Sequence, residues 1–144
     1  MTDIKLNWVE ILLTAHKRIP QIIAGIEKLI ADKALKGMFV KSGPLVESIM
    51  RDIESKVLLQ QIEETVDSAL DVLDYEERGT VVGHIWGESH RERAARLKIA
   101  LRTVFRRYNA GLNRIAVILE ARGYNEAWFK EQFDKLAYLV NVVI

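Results

Sequence analysis

Apolar residues recur at helical spacing along almost the whole chain, and strict alternation of apolar and polar residues over four or more positions is hard to find. A spacing near 3.6 residues predicts α-helices, whereas alternation predicts strands. Only 8 glycines and 2 prolines interrupt the 144 residues, and 49% of the residues are apolar, which is enough to form a core. The sequence therefore predicts an all-α protein with no strand.

Proline and glycine divide the N-terminal half into helices. Apolar residues follow helical spacing over residues 4–35, and Pro20 within this stretch lacks a backbone donor, so it is expected to kink or split the helix. Residues 37–43 form a connector. One long helix is then predicted over residues 45–73, which completes an N-terminal helical and oligomerisation segment, residues 1–73.

The predicted long helix carries an apolar stripe, with acidic residues on its other faces. Its members are Val46, Ile49, Met50, Ile53, Val57, Ile62, Val66, Leu70 and Leu73. A stripe of this length requires a partner surface. Two partners fit: the first two helices of the same chain, or a second copy of the chain in a homodimer.

The formal net charge of +1 hides a strong segregation of charge along the chain. Residues 91–114 hold eight basic residues and one acidic residue, a net +7, whereas residues 46–78 sum to −7. A dense basic segment predicts a polyanionic partner, and nucleic acid is the first candidate. The acidic segment is either a solvated surface without a specific role or a surface that shields the basic segment, holds a partner protein or orients the chain on a polyanion.

The basic segment coincides with a pattern of two short helices joined by a tight turn. Asp74 is predicted to cap one helix that runs to about Trp86, and Ser89 is predicted to cap the next. Ala94 is small enough to let a second helix cross closely. Four apolar positions are expected to lock a helix-turn-helix: Ala94, Leu97, Ile99 and Val104.

The second helix of this predicted motif separates its two sides, at about 100° per residue. The core side is expected to hold Leu101, Val104, Tyr108, Gly111, Leu112, Ile115 and Leu119. The other side carries a polar stripe about 60° wide, formed by Arg102, Arg106, Asn109 and Asn113 and flanked by Thr103, Arg107 and Arg114. Arginine contacts guanine and asparagine contacts adenine in the major groove, so this stripe predicts base contacts with duplex DNA. Further DNA contacts are predicted at the start of the preceding helix and in the turn: Ser89, His90, Arg91 and Lys98.

These residues resemble region four of bacterial sigma factors. The resemblance covers roughly residues 70–120 and is carried by Leu73-Asp74-Tyr75-Glu76-Glu77-Arg78, followed by Ser89-His90-Arg91-Glu92-Arg93-Ala94-Ala95-Arg96-Leu97-Lys98-Ile99-Ala100-Leu101-Arg102-Thr103-Val104. These residues also resemble the small phage and prophage regulators of the RinA and ArpU type, which activate late-gene transcription. The resemblance implies sequence-specific binding of double-stranded DNA by a transcriptional regulator, with residues 74–121 as its DNA-binding domain.

Three residues depart from the pattern of that family. Arg93 stands where an aliphatic residue is usual, so its side chain must snorkel or pair. Lys98 stands where glycine is usual, so the turn either avoids a left-handed residue or tolerates the strain. Ala100 replaces a serine-like cap, which costs about 1 kcal/mol if nothing else caps the helix.

The sequence gives catalysis and cofactor binding little support. Three histidines, His16, His84 and His90, are scattered, and no pair has metal-ligand spacing on a helix. We therefore expect no enzyme, no cofactor and no metal site. The chain has no cysteine, no signal-peptide pattern at its start and no apolar run of membrane length, so a cytoplasmic protein without membrane contact is expected.

Two rival functions fit the same fold class. A phage small terminase subunit is also small, helical and equipped with a helix-turn-helix, but it typically places the DNA motif before its oligomerisation helices, the reverse of the order here. A helical interaction module would keep the fold without binding DNA. A ring of eight or more subunits would favour the first function, and the absence of salt-sensitive DNA affinity would favour the second.

Residues 122–144 are predicted to hold a last helix, capped by Asn125. Its apolar members are Trp128, Phe129, Phe133, Leu136 and Leu139. They either pack in the core of the same chain or form an exposed contact for RNA polymerase or a second protomer.

Overall fold

The computed structural model describes residues 7–38 and 43–132. The helices are α1 (Asn7–His16), α2 (Ile19–Gly37), α3 (Gly43–Val72), α4 (Tyr75–Ile85), α5 (His90–Leu97) and α6 (Leu101–Ala121), followed by α7 over residues 126–132. Within these ranges every regular element is a helix, which confirms the predicted all-α class. None of the helices described is long and apolar enough to cross a membrane.

The break between α1 and α2 lies where proline was predicted to interrupt the first stretch. Helix α1 ends at His16, and Pro20 lies in the first turn of α2, where its missing N–H costs no helical hydrogen bond. The Arg18 amide donates to the Ala15 carbonyl at 2.9 Å and closes the turn between the two helices. The prediction that Pro20 splits this stretch is confirmed.

Helix α3 spans 30 residues, which confirms the predicted long helix. The prediction that its apolar residues form a single stripe is wrong, because the structure divides them between two sides of the helix. Val46, Met50, Ile53 and Val57 are 44–58% exposed, whereas Ile62, Val66 and Leu73 are buried. The five-residue step from Val57 to Ile62 turns the helix by about 140° beyond a full turn, so the second half of the stripe points to the opposite side.

One continuous core joins helices α1, α2, α3, α4, α6 and α7. The second half of α3 buries Leu59, Ile62 and Val66 in it, while α6 contributes Tyr108 and Leu112, both at most 1% exposed. Helices α1 and α3 both contact α6. Both helices predicted as same-chain partners of the long helix, α1 and α2, pack on α3, but members of its apolar stripe are buried only in the second half.

The start of the C-terminal helix is also held by this core. The Trp128 amide donates to Asn125 Oδ1 at 2.8 Å, which confirms the predicted cap. Phe129 is 4% exposed, and its ring centroid lies 6.3 Å from that of Trp8 in α1. The other apolar residues predicted for this helix, Phe133, Leu136 and Leu139, lie outside the described residues.

Candidate nucleic-acid interface

Both predicted N-caps are present before the basic segment. The Asp74 carboxylate accepts from the Glu77 amide at 2.8 Å at the start of α4, and this bond holds the pKa of Asp74 below its usual value. Ser89 Oγ accepts from the Glu92 amide at 3.1 Å at the start of α5. These caps satisfy backbone donors that each helix start leaves free, so α4 and α5 begin at the expected residues.

Residues 98–100 connect α5 to α6 as a tight turn. Ala94 is 8% exposed and Val104 is fully buried, as predicted, and Ile99 is half-buried. Leu97 was expected to lock the helix pair but is 38% exposed, because it lines a groove bordered by α1, α3 and α4. Ala100 caps α6 without a side-chain hydrogen bond, as its methyl group requires.

The turn tolerates strain at Lys98, which adopts φ 56° and ψ 46° in the left-handed region. Replacement by glycine is expected to stabilise the fold by about 1 kcal/mol, since a side chain in this conformation costs roughly 1–2 kcal/mol and glycine loses part of that gain as entropy. Urea denaturation measures the change. Lys98→Ala is the matched control, because it removes the same charge but keeps the strain. A Lys98→Gly protein no more stable than Lys98→Ala would contradict the prediction.

Arg93 pairs instead of extending into solvent. Its Nη1 lies 3.1 Å from Glu88 Oε1, and Arg96 Nε lies 2.9 Å from Glu88 Oε2, so one carboxylate bridges both guanidinium groups. A Cβ atom at Gly79 would come within 2.9 Å of Arg93 Nη2, which shows how closely this side chain approaches α4. Glu88 was not among the predicted site residues; Gly79 and Gly83, four residues apart, are the sequence signal for this close approach.

Hydrogen bonds donated by Arg96 and, to a smaller extent, by Arg93 hold the pKa of Glu88 below its usual value. Because the pKa of Glu88 is lower in the folded chain than in the unfolded chain, its ion pairs stabilise the fold fully above the unfolded-state pKa. This contribution is lost as the pH falls through the folded-state pKa. Glu88→Gln is therefore expected to lower Tm at pH 7, and the difference from wild type should vanish in acid. Thermal melts followed by circular dichroism from pH 7 to pH 2 measure this. A Tm difference that stayed constant over that range would exclude charge pairing as its cause.

Two arginines of α6 pair with acidic residues of α4. Arg107 Nη2 lies 3.0 Å from Glu76 Oε2, and Arg114 Nη1 lies 3.2 Å from Glu77 Oε1. The Glu77 side chain is 7% exposed, and burial raises its pKa. The end of the acidic segment thus neutralises one side of α6, as the shielding interpretation of that segment expects.

The remaining basic residues of the segment 91–114 are exposed and form no ion pair within the described residues. They are Arg91, Lys98, Arg102 and Arg106. Arg102 and Arg106 lie one turn apart on the exposed side of α6, opposite buried Val104 and Tyr108. The folded chain therefore retains four of its eight local cations for a partner.

The other residues predicted to contact DNA differ in their exposure. Asn113 is exposed, and Thr103 and Asn109 are half-buried. The Asn109 Oδ1 atom is buried without a hydrogen-bond partner among the described residues. Ser89, which caps α5, is exposed. The structure thus brings Arg102, Arg106 and Asn113 to the surface and turns part of Asn109 inward.

His90 belongs to an aromatic cluster that the sequence did not predict. Its ring stacks on His84 at 4.2 Å between centroids and meets Phe105 and Tyr108 edge-on at 4.6 and 4.7 Å. Burial lowers the pKa of His90. The cluster joins α4, α5 and α6, so it fixes the position of the α5 N-terminus relative to α6.

Among the described residues, no three His, Asp or Glu side chains come together as a metal-ligand set. No known protein-family model, curated protein or solved structure matches this chain. The function is therefore inferred from the chemistry and placement of the chain's own residues.

Proposed function

We propose that this chain is a sequence-specific double-stranded DNA-binding protein that regulates transcription, with α5, the turn and α6 acting as a helix-turn-helix. One observation carries the proposal: the basic segment is divided between paired and free cations. Arg93, Arg96, Arg107 and Arg114 are held by glutamates, whereas the four cations that form no ion pair within the described residues are exposed. Such a set of free cations favours a polyanion.

Helix α6 supplies the groups suited to base contacts. Arg102 and Arg106 project from its first two turns, and exposed Asn113 follows about two turns later. A major groove about 12 Å wide admits an α-helix, and arginine and asparagine there make bidentate contacts with guanine and adenine. The buried side of the same helix is packed in the core, so the base-contacting side is held rigidly.

Arg91 and Lys98 are suited to phosphate contacts. Arg91 lies in the first turn of α5, where backbone N–H groups and the helix dipole favour an anion. Lys98 lies in the turn before α6 and is exposed. Contacts of this kind position a protein on the duplex and carry no sequence information. They would add affinity that falls as salt rises.

The likeness of residues 70–120 to sigma region four and to regulators of the RinA and ArpU type supports a phage or prophage transcriptional regulator as the specific class. In such a protein α6 would place the chain on a promoter or operator. RNA polymerase would be a further partner, reached from a surface other than the base-contacting side of α6.

Selection of duplexes from a random-sequence library by the full chain tests the proposal. We expect one enriched motif, bound about 10³-fold or more above random DNA. Log affinity should fall linearly with log salt, by about 0.9 for each phosphate neutralised. Failure to enrich a motif, together with no salt-sensitive affinity, would overturn the proposal in favour of an interaction module. A DNA-binding ring of eight or more subunits would favour the small terminase instead.

A further inference from the structure

An apolar row is exposed on the first half of α3. Val46, Met50, Ile53 and Val57 follow one another at steps of four, three and four residues, and each is 44–58% exposed. This spacing keeps side chains on one side of a helix and is the spacing of coiled-coil seams. The row ends after Val57, because the next positions on that side are Gln60 and Glu64.

Helix α2 runs antiparallel to this half of α3. Lys33 Nζ contacts Asp52 Oδ2 at 2.6 Å, and Glu27 Oε1 pairs with Lys56 Nζ at 3.1 Å, so lower residue numbers on α2 meet higher numbers on α3. The end of α2 also lies near the start of α3, since a Cβ at Gly37 would lie 3.5 Å from Leu45. The two helices form a hairpin.

Lys56 directly precedes Val57, the last residue of the exposed row, so its pair with Glu27 shows which side of α2 adjoins that row. Continuing from Glu27 at steps of four, three and four leads to Ala31, Ala34 and Met38, which are all exposed, Met38 by 76%. The two rows together make one apolar surface, the hairpin face: Ala31, Ala34, Met38, Val46, Met50, Ile53 and Val57. Small side chains on α2 lie beside larger ones on α3, so the surface can interdigitate with a copy of itself.

The outer edges of the hairpin face are complementary in charge. Exposed Glu47, Arg51 and Glu54 follow the α3 row, and exposed Lys28 and Asp32 follow the α2 row. Because the helices are antiparallel and Glu27 is level with Lys56, Lys28 is level with Ser55, one residue from Glu54. Two hairpins that place α2 against the partner's α3 would bring Lys28 to the partner's Glu54. Two hairpins that place α3 against α3 would instead bring together two edges that are each net negative.

We propose that the hairpin face packs against the same face of a second copy of this chain, forming a four-helix bundle. The two-fold axis runs parallel to the helices, so each α2 lies against α3 of the other protomer. This arrangement covers both apolar rows and pairs the opposite charges at two symmetric positions. It involves no residue of α5 or α6 and stands independently of DNA binding.

Light scattering of the full chain at micromolar concentration tests the bundle. The mass of two chains is expected for wild type, and Ile53→Glu should reduce it to one chain by placing a carboxylate in the seam. Val72→Glu is the matched control, since Val72 is 62% exposed on the same helix but outside the hairpin face, and it should remain a dimer. Circular dichroism melts verify that both variants fold. A monomeric wild type, or a dimeric folded Ile53→Glu protein, would overturn the proposal.

Disulfide crosslinking tests the arrangement, because the chain has no cysteine of its own. Ala34→Cys and Met50→Cys proteins, mixed and oxidised, should form a crosslinked heterodimer, since these positions face each other across the proposed seam. Met50→Cys alone should give little crosslinked product. Efficient crosslinking of Met50→Cys by itself would place α3 against α3 and would overturn the proposed axis.

Discussion

Replacing Arg102 or Arg106 with alanine is expected to weaken binding to the preferred DNA site by about 1–3 kcal/mol each, with little effect on random DNA. Both side chains are exposed on the first two turns of α6 and form no ion pair within the described residues. A bidentate contact with guanine is lost completely on truncation, because alanine offers no donor. Fluorescence anisotropy with the selected duplex and with a random duplex measures both affinities, and each loss corresponds to roughly 5- to 150-fold in Kd.

Arg91→Ala is the matched control for these two variants. It removes one exposed arginine from the first turn of α5, where a phosphate contact is expected. Its affinity should fall equally on both duplexes, and the salt slope should decrease by about 1. If Arg102→Ala and Arg106→Ala behaved in the same way as Arg91→Ala, they would be phosphate contacts. No change in either affinity would exclude α6 from the interface.

Gly111→Ala is expected to lower the free energy of unfolding by about 1–3 kcal/mol, although alanine is the better helix former by about 1 kcal/mol. A Cβ at this position would lie 2.6 Å from Val81 Cγ2 and 3.6 Å from the Glu77 carbonyl oxygen. Val81 is fully buried, and its β-branched side chain has little rotamer freedom. Helices α4 and α6 must therefore move apart, which would also strain the Glu77–Arg114 pair.

Gly43→Ala makes the same chemical change without the clash. Apart from its chain neighbours and its own helix backbone, no atom of the described residues lies within 4 Å of a Cβ built at Gly43 in the first turn of α3, so stability should be unchanged or higher. Urea denaturation of both variants gives the two free energies. Equal stability of Gly111→Ala and wild type would mean that α4 and α6 lie farther apart than in this structure.

Several features of the fold follow from the sequence, because neighbouring residues determine them. The caps at Asp74, Ser89 and Asn125 depend on side chains that reach amides three residues away, and Pro20 acts on its own helix start. The sidedness of α6 follows from helical periodicity alone: Val104, Tyr108, Gly111, Leu112, Ile115 and Leu119 are all buried, as expected. Only Leu101 of the predicted core side is half-buried.

Tertiary structure alone decided which charges are free and which apolar residues are covered. The ion pairs of Arg107 and Arg114 join residues more than thirty positions apart, so they exist only because α4 packs on α6. The sequence contains eight cations in one segment, but in the folded chain four of them pair with glutamates and four form no ion pair within the described residues. Likewise, periodicity marked the apolar residues of α3, but the core covers only its second half, from Leu59 onward. Local spacing fixes the direction of a side chain about its helix, whereas only the packed neighbours determine what that side chain meets.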